Sequence, residues 1–88
     1  MNKNKLTIVI TGATKGLGKA LAEQYIQDGH HVIGCGRNAE SIKTLSKFYE
    51  GKADFQVVDI SSYDQVQKWS ALVLEKYRSP DFLINNAA

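Results

Sequence analysis

Thr11-Gly12-Ala13-Thr14-Lys15-Gly16-Leu17-Gly18 decides how the rest of this 88-residue chain is read. Ahead of it runs Leu6-Thr7-Ile8-Val9-Ile10, almost continuously apolar and rich in β-branched residues. That is the pattern of a strand buried on both faces of a parallel sheet. Behind it, from about Leu17, the apolar period becomes helical. Strand, glycine-rich turn and helix in that order can hold a dinucleotide pyrophosphate. The glycines let the backbone turn sharply, and the helix start offers unpaired N–H groups to an anion. The spacing is Gly-x-x-x-Gly-x-Gly rather than Gly-x-Gly-x-x-Gly, a difference that selects among families.

Downstream, Leu17, Ala20, Leu21 and Tyr25 fall on one helical face with Ile26 beside them, and Gly29 is placed to end the helix. His30 and His31 read as turn residues, with no carboxylate or cysteine at ligand spacing for a metal. Val32-Ile33-Gly34-Cys35-Gly36 reads as a second strand. Its glycines imply the close approach of another backbone or a ligand, and Cys35 reads as a small core residue. Asn38 is the expected N-cap of a helix burying Ile42, Leu45, Phe48 and Tyr49, with Gly51 as its stop. Ala53 to Val58 is a third strand with Asp59 at its end. Ser62-Tyr63-Asp64-Gln65 fits a capping box. The helix it opens buries Val66, Trp69, Val73 and Tyr77, with Leu72 widening that face and Pro80 ending the run. Phe82-Leu83-Ile84 is a fourth strand, followed by Asn85-Asn86-Ala87-Ala88.

The expected architecture is therefore α/β, a three-layer Rossmann-type sheet, partly doubly wound, built β-α-β-α-β-α-β. Right-handed crossovers give strand order 3-2-1-4. The first two helices then lie on one face and the third on the other. The chain reverses between strands 1 and 4, the place where open α/β sheets bind ligands. The glycine turn and Asn85-Asn86 both lie there.

Composition excludes several alternatives. A net charge of +2 spread along the chain leaves no nucleic-acid footprint. No run approaches the ~20 apolar residues of a membrane span. The basic start Met1-Asn2-Lys3-Asn4-Lys5 is followed only by a strand-length apolar run, so it reads as a frayed terminus and not as a signal peptide. With Cys35 as its one cysteine, the chain is expected in a reducing, cytoplasmic setting. Residues 1–88 read as a single domain.

The three coupled features, Thr11-Gly12-x-x-x-Gly16-x-Gly18, Asp59-Ile60 and Asn85-Asn86-Ala87-Ala88, closely resemble the short-chain dehydrogenase/reductase family. The resemblance spans essentially the whole chain and matches the N-terminal part of a family member. It implies that Gly12, Thr14, Lys15, Gly16, Leu17 and Gly18 hold the cofactor pyrophosphate and adenosine side. It implies that Asp59 contacts the adenine with Ile60 beside the ring, and that Asn86, Ala87 and Ala88 line the cofactor cleft. The family pattern ends in Gly where this chain has Ala88, which bears on how closely that backbone approaches the cofactor.

At the end of the second strand an acidic residue would accept hydrogen bonds from an NAD ribose. The sequence there is Gly36-Arg37-Asn38, with no carboxylate. Arg37 offers a planar, permanently charged fork to a phosphate, and Lys15 can add a second cation. NADP(H) is thus expected over NAD(H), as the resemblance also implies.

The family's catalysis uses a Ser and a Tyr-x-x-x-Lys pair, the Tyr giving a proton as hydride arrives. Here Tyr25, Tyr49, Tyr63 and Tyr77 are followed four places on by Gly29, Ala53, Gln67 and Asp81. No catalytic residue carries over, and the chain by itself is expected to be a truncated, inactive cofactor-binding part of a carbonyl or alcohol oxidoreductase. The alternative is a non-catalytic nucleotide-binding or interaction module of the same descent. Either way the fourth strand is an exposed apolar edge, expected to pair with another strand or a further copy of the chain.

Overall fold

The computed structural model describes residues 5–77 and 79–86. Residues 1–4 of the expected frayed terminus Met1 to Lys5, and Ala87 and Ala88 of the last motif, lie outside the described residues. Seven elements alternate: β1 (Thr7–Thr11), α1 (Gly16–Gln27), β2 (His31–Gly36), α2 (Ala39–Phe48), β3 (Ala53–Val57), α3 (Tyr63–Tyr77) and β4 (Phe82–Asn85). All pairings are parallel and the order is β3-β2-β1-β4. The expected topology is the one observed.

Alternation along the strands divides the core into two. Ile8 and Ile10, with Val32 and Phe55, meet Ala22 and Ile26 of α1 and Ile42 and Leu45 of α2. Val9, Ile33 and Cys35 point the other way and meet Val58, Trp69 and Val73. Among the described residues α3 covers that second face alone. Beyond it, Phe82 and Leu83 of β4 remain exposed.

Several side chains depart from the periodicity. The buried residues of α1 are Gly18, Ala22 and Ile26, while Leu17 and Ala20 face outward. Small residues at 18 and 22 let the helix press against the sheet, so its contact stripe lies one position round from the bulky residues. Phe48 is also exposed; its ring meets Tyr49 edge-on at 4.7 Å. Tyr49 turns inward instead and donates its hydroxyl to Glu23 at 2.8 Å. Leu72 lies outside the buried stripe of α3, which holds Trp69 and Val73. His31 is the first residue of β2, not part of the turn. The capping box is half formed. Gln65 N donates to Ser62 Oγ at 3.3 Å, but Gln65 Oε1 reaches past Ser62 to accept from Asp59 N at 2.8 Å.

Two polar clusters fasten the layers. At the C-terminal end of the sheet, the Thr11 hydroxyl donates to Asn85 Oδ1 and accepts from Asn86 N, both at 2.9 Å. This fixes β4 on β1. At the opposite end, Tyr77 donates to Asp54 Oδ2 at 2.9 Å and Lys76 Nζ stands 3.5 Å from the same oxygen. The His31 ring lies 5.0 Å from that of Tyr77, and its Nε2 is buried without a partner among the described residues.

Burial, then the charge of Lys5, holds His31 below its ordinary pKa of 6.5, against an opposing pull from Asp54. The fold therefore favours the neutral ring, and the unfolded chain binds the proton more readily. This contribution to stability is complete above the ordinary value and is lost as the pH falls through it toward the lower folded value. Urea midpoints measured at about pH 7.5 and about pH 5.5 should fall further for the wild type than for His31→Phe, which keeps a ring against Tyr77. Equal falls would remove His31 as the source. Thr11→Val keeps the shape of the side chain but breaks both hydrogen bonds. It should lower unfolding stability by about 1–2 kcal/mol, read from the urea midpoint, and no change would show that water replaces the clamp.

Candidate functional site

The chain leaves β1 over Gly12 and returns into α1 at Gly16, with φ of 65° and 61°. Residues with a Cβ are strained in that region. Gly18 is required for a different reason. A Cβ there would run into the Gly12 carbonyl and stand 2.5 Å from Asn86 Nδ2. Helix α1 is therefore seated directly on the turn. Asn86 Nδ2 closes the arrangement by donating to Gly12 O at 3.2 Å.

The three helix starts differ. Asn38 caps α2 by accepting from Ser41 N at 3.0 Å, and Glu40 stands in that first turn. Ser62 caps α3, with Asp64 in its first turn. The N-cap of α1 is Lys15, which caps nothing with its side chain, and no acidic residue occupies its first turn. Among the described residues no side-chain cap and no first-turn carboxylate meets the positive end of the α1 dipole, a geometry that suits a phosphate.

This helix start opens on a cleft of about 910 Å³ along the C-terminal ends of the strands. Gly12, Thr14, Lys15 and Gly16 line it from the turn, and Gly36, Arg37, Asn38 and Ser41 from the end of β2 and the start of α2. Val58, Asp59, Ile60, Ser61 and Asn86 complete it. Nine of the expected site residues are thus brought together. Gly18 lies beneath the turn, buried. Leu17 is 68% exposed on the flank of α1 and is not in the lining. Gly36, whose place in the strand implies a close approach of backbone or ligand, also lines the cleft, and Ser41, Ser61 and Val58 join it beyond the expected set. An Asn-x-x-Ser helix start and the Asp-x-Ser step at 59–61 are the signals that point to the two serines.

The charges divide between two sides. Arg37 and Lys15 are exposed, and neither enters an ion pair among the described residues. Asp59 Oδ1 accepts from Ser61 Oγ at 2.7 Å and from Ser61 N at 3.0 Å. These two bonds, with a smaller contribution from Arg37, hold its carboxyl below the ordinary range. Asp59 therefore offers acceptors, not a proton. Cys35 is completely buried, and burial raises its thiol to about 11, so it is no nucleophile. No group of three His, Cys, Asp or Glu among the described residues could hold a metal. No helix among them is long and apolar enough to cross a membrane.

Comparison with known proteins agrees with this fold. The family described as short chain dehydrogenase matches residues 6–88. The NADPH-dependent pterin aldehyde reductase of Arabidopsis thaliana is 36% identical over 83 residues, covering 92% of this chain and 34% of that protein. A short-chain dehydrogenase from Streptomyces avermitilis superposes with a TM-score of 0.90 at 32% identity, over 100% of this chain and 32% of the other. The actinorhodin polyketide ketoreductase, solved with NADPH, gives a TM-score of 0.84 at 32% identity, over 96% and 33%. The chain spans about a third of the length of the relatives it matches. With its strand order, its glycine turn and the match over residues 6–88 in agreement, the chain belongs to the short chain dehydrogenase family.

Proposed function

We propose that residues 1–88 act as one NADP(H)-binding unit of a short-chain oxidoreductase. The observation that carries this reading is the uncapped start of α1, facing the same cleft as Lys15 and Arg37. The pyrophosphate would lie against the first-turn amides of α1, where Gly12 and Gly16 let the backbone come close. Arg37 and Lys15 would hold the 2′-phosphate, since no carboxylate stands at the end of β2 to repel it. Asp59 would accept from the adenine amino group with Ile60 against the ring. Asn86, and Ala87 and Ala88 beyond it, would border the nicotinamide side.

When bound, the dinucleotide supplies or accepts the hydride exchanged with a carbonyl or alcohol carbon. The part played by these residues is grip and orientation. The NADPH-dependent relative and the NADPH-bound ketoreductase support the choice of cofactor. The buried thiol of Cys35 favours a reducing, cytoplasmic setting. The exposed Phe82 and Leu83 favour a further strand, or a second copy of the chain, along the free edge of β4.

Fluorescence titration with NADPH and NADH tests the reading. Arg37→Asp should weaken NADPH by about ten- to a hundredfold, the cost of a lost charged hydrogen bond plus repulsion, and leave NADH nearly unchanged. Equal loss for both cofactors would overturn the assignment to NADP(H). Absence of NADPH binding by the folded wild-type chain would overturn the cofactor reading altogether.

A further inference from the structure

Glycine weakens a strand, yet β2 carries two glycines among its buried residues. What they meet explains them. A Cβ on Gly34 would stand 2.8 Å from the Phe55 ring and 2.9 Å from Ala13 Cβ. A Cβ on Gly36 would collide with Thr14 Cγ2 and lie 3.0 Å from Thr14 Oγ1 and 3.3 Å from Thr14 Cβ. Between the two, the Cys35 carbonyl accepts from Ala13 N at 2.9 Å. Three consecutive residues of β2 thus carry the Ala13-Thr14 segment of the glycine turn. Gly36 O is engaged as well, accepting from Val58 N at 2.9 Å. The end of β2 is therefore held on both sides and gives little.

We propose that Gly36 is a positioning residue for the cofactor. The room left by its missing side chain sets how low Thr14 sits on β2, and so how far the free amides of α1 stand from Arg37. This rests on the reading that the cleft takes NADP(H). The Gly-x-x-x-Gly-x-Gly spacing describes the turn alone; Gly36 lies outside it, in a neighbouring strand. It is also the residue immediately before Arg37, and Thr14 and Arg37 line one cleft. A pyrophosphate and a 2′-phosphate belong to one ligand, so the two grips must be spaced to match it. Rotation of Thr14 about its Cα–Cβ bond can withdraw Cγ2 but not Cβ, 3.3 Å away, so a methyl group at position 36 would press on the turn and shift that grip relative to Arg37.

Gly36→Ala, Thr14→Gly and the double variant form a cycle that tests this. The readouts are NADPH fluorescence titration, amide hydrogen exchange at Ala13 without cofactor, and the urea midpoint. Gly36→Ala should lose at least about tenfold in NADPH affinity. It should also speed exchange of the Ala13 amide and lower the urea midpoint by an amount that Thr14→Gly relieves. In the Thr14→Gly background the same substitution should cost little affinity, because the colliding side chain is gone. Gly36→Ala that leaves affinity and Ala13 exchange unchanged overturns the positioning role while the cofactor reading stands. A loss of the same size with or without Thr14 also overturns it, since the effect then bypasses that contact. If the wild-type chain binds no NADPH, the cofactor reading falls, and with it the role of Gly36 toward the cofactor.

Discussion

The closeness of α1 to the backbone of Gly12 governs everything at the C-terminal end of the sheet. No side chain at position 18 separates the helix from that carbonyl. The helix start consequently arrives at the sheet edge with its amides uncovered, and its first residue needs the left-handed conformation that Gly16 supplies. Asn86 reaches the same carbonyl from β4. One oxygen atom is thus the meeting point of the first strand, the first helix and the last strand. Displacing it would disturb all three together.

Electrostatics then separates the three helix starts into two kinds. Those of α2 and α3 are filled by Asn38 and Ser62 and by acidic residues in their first turns. That of α1 is flanked by a lysine and left unfilled. A protein gains stability from capping a helix, so an uncapped start beside two capped neighbours supports the pyrophosphate position proposed above. Asp59, at the far side of the cleft, is kept ionised by Ser61 and does not compete for the same place.

The strand order, the two-sided burial of β1 and the convergence of the three motifs were legible in the sequence. They follow from β-branched runs, turn residues and the right-handed crossover, all of which act locally. The misread positions share one cause. Periodicity identifies bulky apolar residues, whereas the packing of α1 is decided by the small ones, Gly18 and Ala22, so Leu17, expected inward, lies outward. Phe48 and Tyr49 compete for one inward place, and Tyr49 takes it because its hydroxyl finds Glu23 on α1. That partner lies 26 positions away and leaves no local trace. Gln65 likewise had two amides within reach and serves the one at Asp59. Gly36 is legible as a place of close approach, but what approaches it, and the place of Ser41 in the lining, depend on strand ends brought side by side.

Thr11 and Asn85 meet across 74 positions of sequence. The entropy lost in closing a loop grows with its length, and such distant pairings form slowly relative to local ones. β1, the turn and α1 are contiguous and can form early, whereas the donor that completes Gly12 arrives only when β4 docks. If the cleft takes the proposed cofactor, binding is thereby tied to docking of β4 on β1. A ligand that needs the finished turn binds only the fully assembled chain and, by mass action, holds it assembled.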